Sequence, residues 1–141
     1  MSAGRHTHAM IGSAAVEQVA GSLDAFCAEE RLPHEVTWRL RVALDEIVAN
    51  IVAYGKPGDL AALDVWFTRL GDVIEVRVED DGPPFDPLAW PAPDTHLPLE
   101  ARSPGGLGIA LVRALMDDVQ YVRTNRNVLT LRKQIDAHPA D

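Results

Sequence analysis

The spacing of apolar residues changes along this chain, and that change most limits the folds it can adopt. Between residues 13 and 54, apolar side chains recur every three or four positions, whereas between residues 60 and 79 they alternate with polar ones. The first spacing is typical of helices with one buried face, and the second of half-buried strands. We therefore predict a protein that combines helices with a sheet.

The individual elements follow from these patterns and from the Gly and Pro residues between them. We predict helices from residue 13 to Pro33, from His34 to Tyr54 and from Leu107 to Met116, and strands over residues 60–70, Val73 to Glu79, Val119 to Arg123 and Asn127 to Lys133. Helices and strands that do not strictly alternate indicate an α+β fold. The predicted architecture is a two-layer α/β sandwich, with the helices on one face of a mixed, mainly antiparallel sheet.

The length of 141 residues, 47% of them hydrophobic, is enough for one domain with a real core and too short for two. We place this domain at residues 11–135, after a polar mobile tail at residues 1–10 and before a frayed tail at 136–141. Residues 83–104 hold seven of the ten prolines, which predicts a loop that closes over something, here called the lid.

Bulk charge and cysteine content exclude several classes of function. A net charge of −8 disfavours nucleic-acid binding, which needs clustered Lys and Arg. The single cysteine, Cys27, allows no internal disulfide and is predicted to be a core residue. No run of about 18 apolar residues could span a bilayer, so we expect a soluble, cytoplasmic protein that binds no membrane.

A first candidate site lies on the second predicted helix, in the segment LDEIVAN. Glu46 and Asn50 are four residues apart and therefore share a helix face. An Asn amide oxygen is a suitable ligand for Mg²⁺, and a carboxylate one turn earlier could act as a base beside a phosphate. The alternative is that both belong, with Asp45, to the solvated face of an amphipathic helix.

Two further segments are typical of nucleotide sites. In VEDDG, Asp80 follows a strand and could accept a hydrogen bond from a base amino group, with Gly82 leaving room for the ring; ordinary turn chemistry is the alternative. The segment Gly105-Gly106-Leu107-Gly108 precedes a helix, where backbone N–H groups and the helix dipole could hold phosphates. It is neither a P-loop nor a dinucleotide-binding GxGxxG.

Taken in this order, the three segments resemble those of the GHKL superfamily of ATP-binding domains, the Bergerat fold. The stretches LRVALDEIVANIVAYG, VEDDGPPFDP and GGLGIALVRALMDDVQY are most similar to the bacterial anti-sigma-factor serine kinases, and the resemblance runs from residue 11 to 133. It implies an ATP·Mg²⁺ site in which Asn50 binds the metal, Glu46 is the base and Asp80 recognises adenine. Gly82 and the glycines at 105, 106 and 108, with Leu107, would line the base and the phosphates.

The resemblance also implies a biological role. Kinases of this family hold a sigma factor inactive, phosphorylate a serine on a small anti-anti-sigma protein of the STAS type, and often act as homodimers. Two alternatives stay open: an ATP-binding interaction module without kinase activity, and a detached catalytic domain of a histidine kinase. Arg102 could reach the γ-phosphate, but Ser103 and Pro104 separate it from the glycines, and a solvated loop arginine is the alternative.

Overall fold

The computed structural model describes residues 3–54, 61–84 and 106–135, which form three helices and five strands. In chain order these are β1 (Ala3–Met10), α1 (Ala15–Glu29), α2 (His34–Tyr54), β2 (Ala62–Leu70), β3 (Val73–Asp80), α3 (Gly106–Leu115), β4 (Asp118–Arg123) and β5 (Asn127–Gln134). All the predicted helices and strands are present, and α2 has both of its predicted ends. The tail at 136–141 and most of the lid lie outside the described residues.

The five strands form one sheet in the order β1-β2-β3-β5-β4. Each of the four strand pairings is antiparallel, so the predicted mixed sheet is corrected to an antiparallel one in the described part of the chain. The chain returns through α3 and β4 to β5, which lies beside β3 and runs in the opposite direction. The predicted two-layer α+β sandwich is confirmed.

The core lies between the helices and one face of the sheet. Inward-facing strand residues such as Val65, Phe67 and Val76 are at most 1% exposed, in alternation with half-buried outward residues. Phe67 stacks on Phe26 of α1, with 5.7 Å between ring centroids. Cys27 is buried beside it, as predicted. In the helical layer α2 packs against both α1 and α3, so the helix that carries the candidate site is central.

The β2–β3 hairpin shows how local residues set the register of the sheet. Leu70 pairs directly with Val73, which leaves a two-residue loop of Gly71 and Asp72. Gly71 adopts φ = 64°, a left-handed conformation that glycine reaches without steric cost and that two-residue hairpin loops require. The resulting register brings Asp80, at the end of β3, to the edge of the core.

The edge strand β1 shows that the predicted mobile tail at residues 1–10 was wrong from residue 3 onward, and residues 1 and 2 lie outside the described part of the chain. The strand pairs antiparallel with β2 over all eight of its residues. From residue 4 to residue 10, Ala9 is its one buried apolar residue, so no hydrophobic alternation marks the strand in the sequence. Polar contacts to α1 hold it instead: Arg5 Nε donates to Ser22 Oγ at 3.0 Å, and Thr7 also hydrogen-bonds with Ser22.

Among the helices that the structure describes, none has the length and apolar character needed to cross a membrane.

Candidate functional site

A cleft opens between the helical layer and the end of the sheet where β3 finishes. Its empty volume, counted out to the open mouth, is about 330 Å³. Most of its lining is apolar, with three amide or carboxyl side chains and one phenol among the hydrocarbon. The lining residues are Ile47, Asn50, Ile51, Val78, Asp80, Ile109, Tyr121, Asn127 and Leu129. The cleft thus contains two of the side chains that the sequence predicted for a nucleotide site.

Asp80 is the acidic group of this cleft and is only 7% exposed. Its Oδ1 accepts hydrogen bonds from the Gly82 backbone N–H at 2.8 Å and from Asn127 Nδ2 at 3.1 Å. A Cβ on Gly82 would lie 2.8 Å from the same oxygen, so a side chain there would collide with the carboxylate. Gly82 is therefore required beside Asp80, although it does not itself line the cleft.

Burial raises the pKa of Asp80 above its ordinary value, because an ionised carboxylate loses hydration inside the protein. The hydrogen bonds from Asn127 and from the Gly82 N–H, together with the charge of Arg126, oppose this rise without cancelling it. A buried carboxyl group that is hydrogen-bonded on one side and faces a cleft is typical of a group that binds a ligand.

Arg126 holds the turn that follows Asp80. Its Nε donates to Asp81 Oδ1 at 2.7 Å and its Nη2 donates to the Ala62 carbonyl at 3.2 Å, while Nη1 lies 3.0 Å from Asp64 Oδ2. Because these contacts reach both β2 and the turn, they restrain the backbone that positions the carboxylate of the cleft. These contacts join β2 to the turn without any ligand, which favours a site that is formed before a ligand binds.

Asn50 projects into the same cleft from α2. Its Nδ2 atom is buried and has no hydrogen-bond partner among the residues that the structure describes. A buried amide without a partner costs free energy, about 1–3 kcal/mol, so such a group points to a ligand that completes it. The described residues hold no cluster of three His, Cys, Asp or Glu that could bind a metal alone. A divalent ion would therefore need ligand oxygens from elsewhere, as Mg²⁺ beside phosphates does.

Glu46 lies one turn before Asn50 and meets the start of α3 rather than the floor of the cleft. The position of a Cβ on Gly108 would be only 2.6 Å from Glu46 Oε1. The absence of a side chain at Gly108 therefore leaves the space that this carboxylate occupies. The Glu46 carboxylate therefore lies beside the first turn of α3, where the backbone N–H groups of a helix have no partner within the helix itself.

Replacing Gly108 by Ala is expected to displace the Glu46 carboxylate without unfolding the protein. The atom that a new Cβ would strike is the end of a flexible side chain, and Ala in a helix is about 0.5–1 kcal/mol better than Gly. We expect an unchanged or higher melting temperature and a changed side-chain carboxyl ¹³C signal of Glu46. Gly21→Ala, in α1 with open space around it, is the matched control and should leave that signal unchanged. An unaltered signal in Gly108→Ala would contradict the contact.

The predicted site residues fall into three groups in the structure. Asn50 and Asp80 line one cleft. Gly82 donates its backbone N–H to Asp80, and Glu46 and Gly108 lie against each other. Gly106 and Leu107 belong to the first turn of α3, as predicted for a glycine segment that opens a helix. Gly105 and Arg102 lie outside the described residues, so their predicted roles remain predictions.

Sequence reasoning missed Asn127 and Tyr121. Asn127 follows the Thr-Asn-Arg turn, where an asparagine is ordinary turn chemistry, and Tyr121 lies in a short strand with the inward alternation of a core residue. Their proximity to Asp80 depends on strand register, since Asp80 pairs with Asn127 across 47 residues of sequence. No local signal contains this information.

The relation of the chain to known proteins agrees with this geometry. Residues 13–133 match the family model of the histidine kinase-like ATPase domain. The chain belongs to this family. The resemblance to GHKL domains that the three sequence segments predicted is thereby confirmed.

This histidine kinase-like ATPase domain is similar to proteins named serine-protein kinase RsbW. It is 27% identical over 100 residues to that of Bacillus cereus strain G9842, and 29% identical over 101 residues to that of Bacillus cereus strain ATCC 10987. Each alignment covers 68% of this chain and 62% of the relative. The chain thus spans less than two thirds of the length of these relatives.

A solved structure shares the fold of this histidine kinase-like ATPase domain. The crystal structure of the RsbU and RsbW domains of Rv1364c from Mycobacterium tuberculosis aligns with a TM-score of 0.66 at 17% identity, covering 94% of this chain and 32% of that one. At this identity the likeness supports the architecture alone. The two-layer sandwich predicted from apolar spacing therefore has a counterpart among solved structures.

Proposed function

We propose that this chain is an ATP-binding anti-sigma regulatory factor that acts as a serine protein kinase. The observation that carries the proposal is the presence, in one mostly apolar cleft, of the buried carboxylate of Asp80 and of the buried Asn50 Nδ2, which has no hydrogen-bond partner among the described residues. Membership of the ATPase family supports the nucleotide, and the name serine-protein kinase, borne by similar proteins, supports the reaction class.

In this proposal the inner part of the cleft binds the adenine ring. Asp80 accepts a hydrogen bond from the exocyclic amino group, and the apolar lining covers the two faces of the base. Ile47 and Ile51 supply this cover from α2, and Val78 and Leu129 supply it from the sheet. Closing an apolar slot around a flat ring removes water from both partners, which stabilises the complex.

The phosphates would extend from the base toward Asn50 and the start of α3. The Asn50 amide oxygen would ligate Mg²⁺, and its Nδ2 would find an acceptor in a phosphate oxygen. When bound, the metal would neutralise charge on the phosphates during transfer. The first turn of α3, at Gly106 and Gly108, would donate backbone N–H groups to phosphate oxygens. Arg102 and Gly105 would complete this part of the site.

Glu46 would act as the base in phosphoryl transfer. It would accept the proton of a serine hydroxyl as that oxygen forms a bond to the γ-phosphorus and the bond to the β,γ-bridging oxygen breaks, which releases ADP. Its position against Gly108 places a carboxylate beside the helix end that would hold the phosphates. The serine would belong to an anti-anti-sigma protein of the STAS type, and the kinase would sequester a sigma factor as a cytoplasmic homodimer.

This proposal predicts ATP binding that depends on Mg²⁺. In calorimetric titrations, ATP should bind at least about tenfold more tightly in Mg²⁺ than in EDTA. This difference in affinity corresponds to one charge-assisted contact. Asn50→Leu should remove most of this difference, whereas Ala49→Leu, on the neighbouring exposed position of α2, should keep it. If the wild-type protein binds no ATP under either condition, the proposal fails.

A further inference from the structure

Three strands contribute one continuous chain of side-chain hydrogen bonds that ends at Asp80. The Tyr121 hydroxyl on β4 donates to Asn127 Oδ1 on β5 at 2.5 Å. Asn127 Nδ2 donates in turn to Asp80 Oδ1 on β3 at 3.1 Å and to the Pro83 carbonyl at 2.9 Å. Asn127 is 5% exposed, so these contacts are shielded from competing water.

Within the described part of the chain, the acceptors around Asn127 favour one orientation of its amide. With Nδ2 toward Asp80, its N–H groups meet the Asp80 carboxylate and the Pro83 carbonyl, with the Gly82 carbonyl at 3.5 Å, and Oδ1 meets the Tyr121 hydroxyl. The reverse orientation would place Oδ1 against a carboxylate and a carbonyl, which are both acceptors. The acceptors at Asp80 and Pro83 therefore select the orientation in which Asn127 donates to Asp80, and the Tyr121 hydroxyl holds that orientation by donating to Oδ1.

The donors from the described residues both act on one oxygen of the carboxylate. The Gly82 N–H and Asn127 Nδ2 converge on Oδ1, which fixes the plane of the carboxylate and leaves Oδ2 as an acceptor for a ligand. An acceptor fixed in this way binds an amino group and repels a carbonyl oxygen. Arg126 and Asp81 are the nearby charged groups that act on Asp80, and neither is part of this hydrogen-bond chain.

We propose that Asn127, held in place by Tyr121, is a positioning residue that makes Asp80 select a purine with a 6-amino group over one with a 6-oxo group. The inference rests on the proposed nucleotide site and assigns its base specificity to two residues outside the sequence motifs. Adenine is accepted because its amino group donates to Oδ2. Hypoxanthine and guanine are rejected because their carbonyl oxygen faces the carboxylate.

The test compares the dissociation constants of ATP and ITP, whose bases differ in this group. The wild type should prefer ATP by roughly 100-fold, the expected effect of exchanging a charge-assisted hydrogen bond for a repulsion. Asn127→Leu should reduce this preference to about tenfold or less, and Tyr121→Phe should give an intermediate value, because each loosens the carboxylate rather than removing it. Val122→Ala, an exposed position next to Tyr121 on β4, is the control and should keep the full preference.

A second readout uses the protein without nucleotide. The side-chain carboxyl pKa of Asp80, followed by ¹³C NMR, should rise further in Asn127→Leu and in Tyr121→Phe, because a donor to the ionised form is lost or weakened. If Asn127→Leu keeps the full wild-type preference for ATP over ITP and its Asp80 pKa is unchanged, the inference is overturned. Failure of the wild type to bind either nucleotide would instead refute the proposed function, and the NMR titration would still test the hydrogen-bond chain.

Discussion

Asp80→Asn should weaken ATP binding by about 2–3 kcal/mol, roughly 30- to 150-fold, while leaving the fold intact. The two donors on Oδ1 would attract the oxygen of the new amide. The NH₂ group of the substituted side chain would then face the amino group of adenine, and two donors would oppose each other. The measurement is calorimetric titration of ATP in Mg²⁺.

The stability of this variant separates a binding effect from an unfolding effect. A buried carboxylate with a raised pKa is costly to keep ionised, so a neutral amide of the same shape should leave the melting temperature unchanged or higher. Asp72→Asn, the same change at the exposed hairpin turn, is the control and should bind ATP as the wild type does. ATP affinity that is equal in Asp80→Asn and wild type would exclude Asp80 from base recognition.

Glu46→Gln should reduce phosphoryl transfer by about 10²- to 10⁴-fold, the usual contribution of a general base. Its ATP affinity should stay within about threefold of wild type, since the lost charge is not part of the base-binding cleft. Transfer would be followed with γ-³²P-labelled ATP and a STAS-domain protein from the same genome. Glu35→Gln, on the exposed first turn of α2, is the control and should transfer normally.

The outcomes of this experiment discriminate between the three functions left open by the sequence. Unchanged transfer in Glu46→Gln would remove Glu46 as the base. Wild-type ATP binding without transfer to any STAS partner would favour an interaction module. A labelled product that is lost in acid would indicate phosphohistidine and a histidine-kinase domain, whereas phosphoserine survives acid.

Much of the fold was predictable because its helices and three of its strands have a strong apolar period. The α2 helix has both predicted ends, and the spacing of four between Glu46 and Asn50 does place them on adjacent turns near one cleft. The predicted proximity of Asn50 to Asp80 came from the family resemblance, since nothing between α2 and the end of β3 encodes it locally. The structure confirms that both line the same cleft.

Strand β1 was not predictable for a physical reason. Its pairing with β2 relies on backbone hydrogen bonds, which every residue except proline can form, and on polar contacts of Arg5 and Thr7 with Ser22. Neither leaves a hydrophobic pattern. The polar segment was therefore interpreted as a tail, although its backbone pairs with the edge of β2.

The sequence alone determined the three helices and four of the five strands in the described part of the chain, and it indicated candidate site residues on them, because apolar spacing and turn residues act over a few positions. The tertiary structure decided what surrounds those residues. The register between β3 and β5 sets Asn127 beside Asp80, and the packing of α3 on α2 sets Gly108 against Glu46. Both depend on contacts between segments more than 40 residues apart, where the free energy of the whole core, rather than any local preference, selects the arrangement.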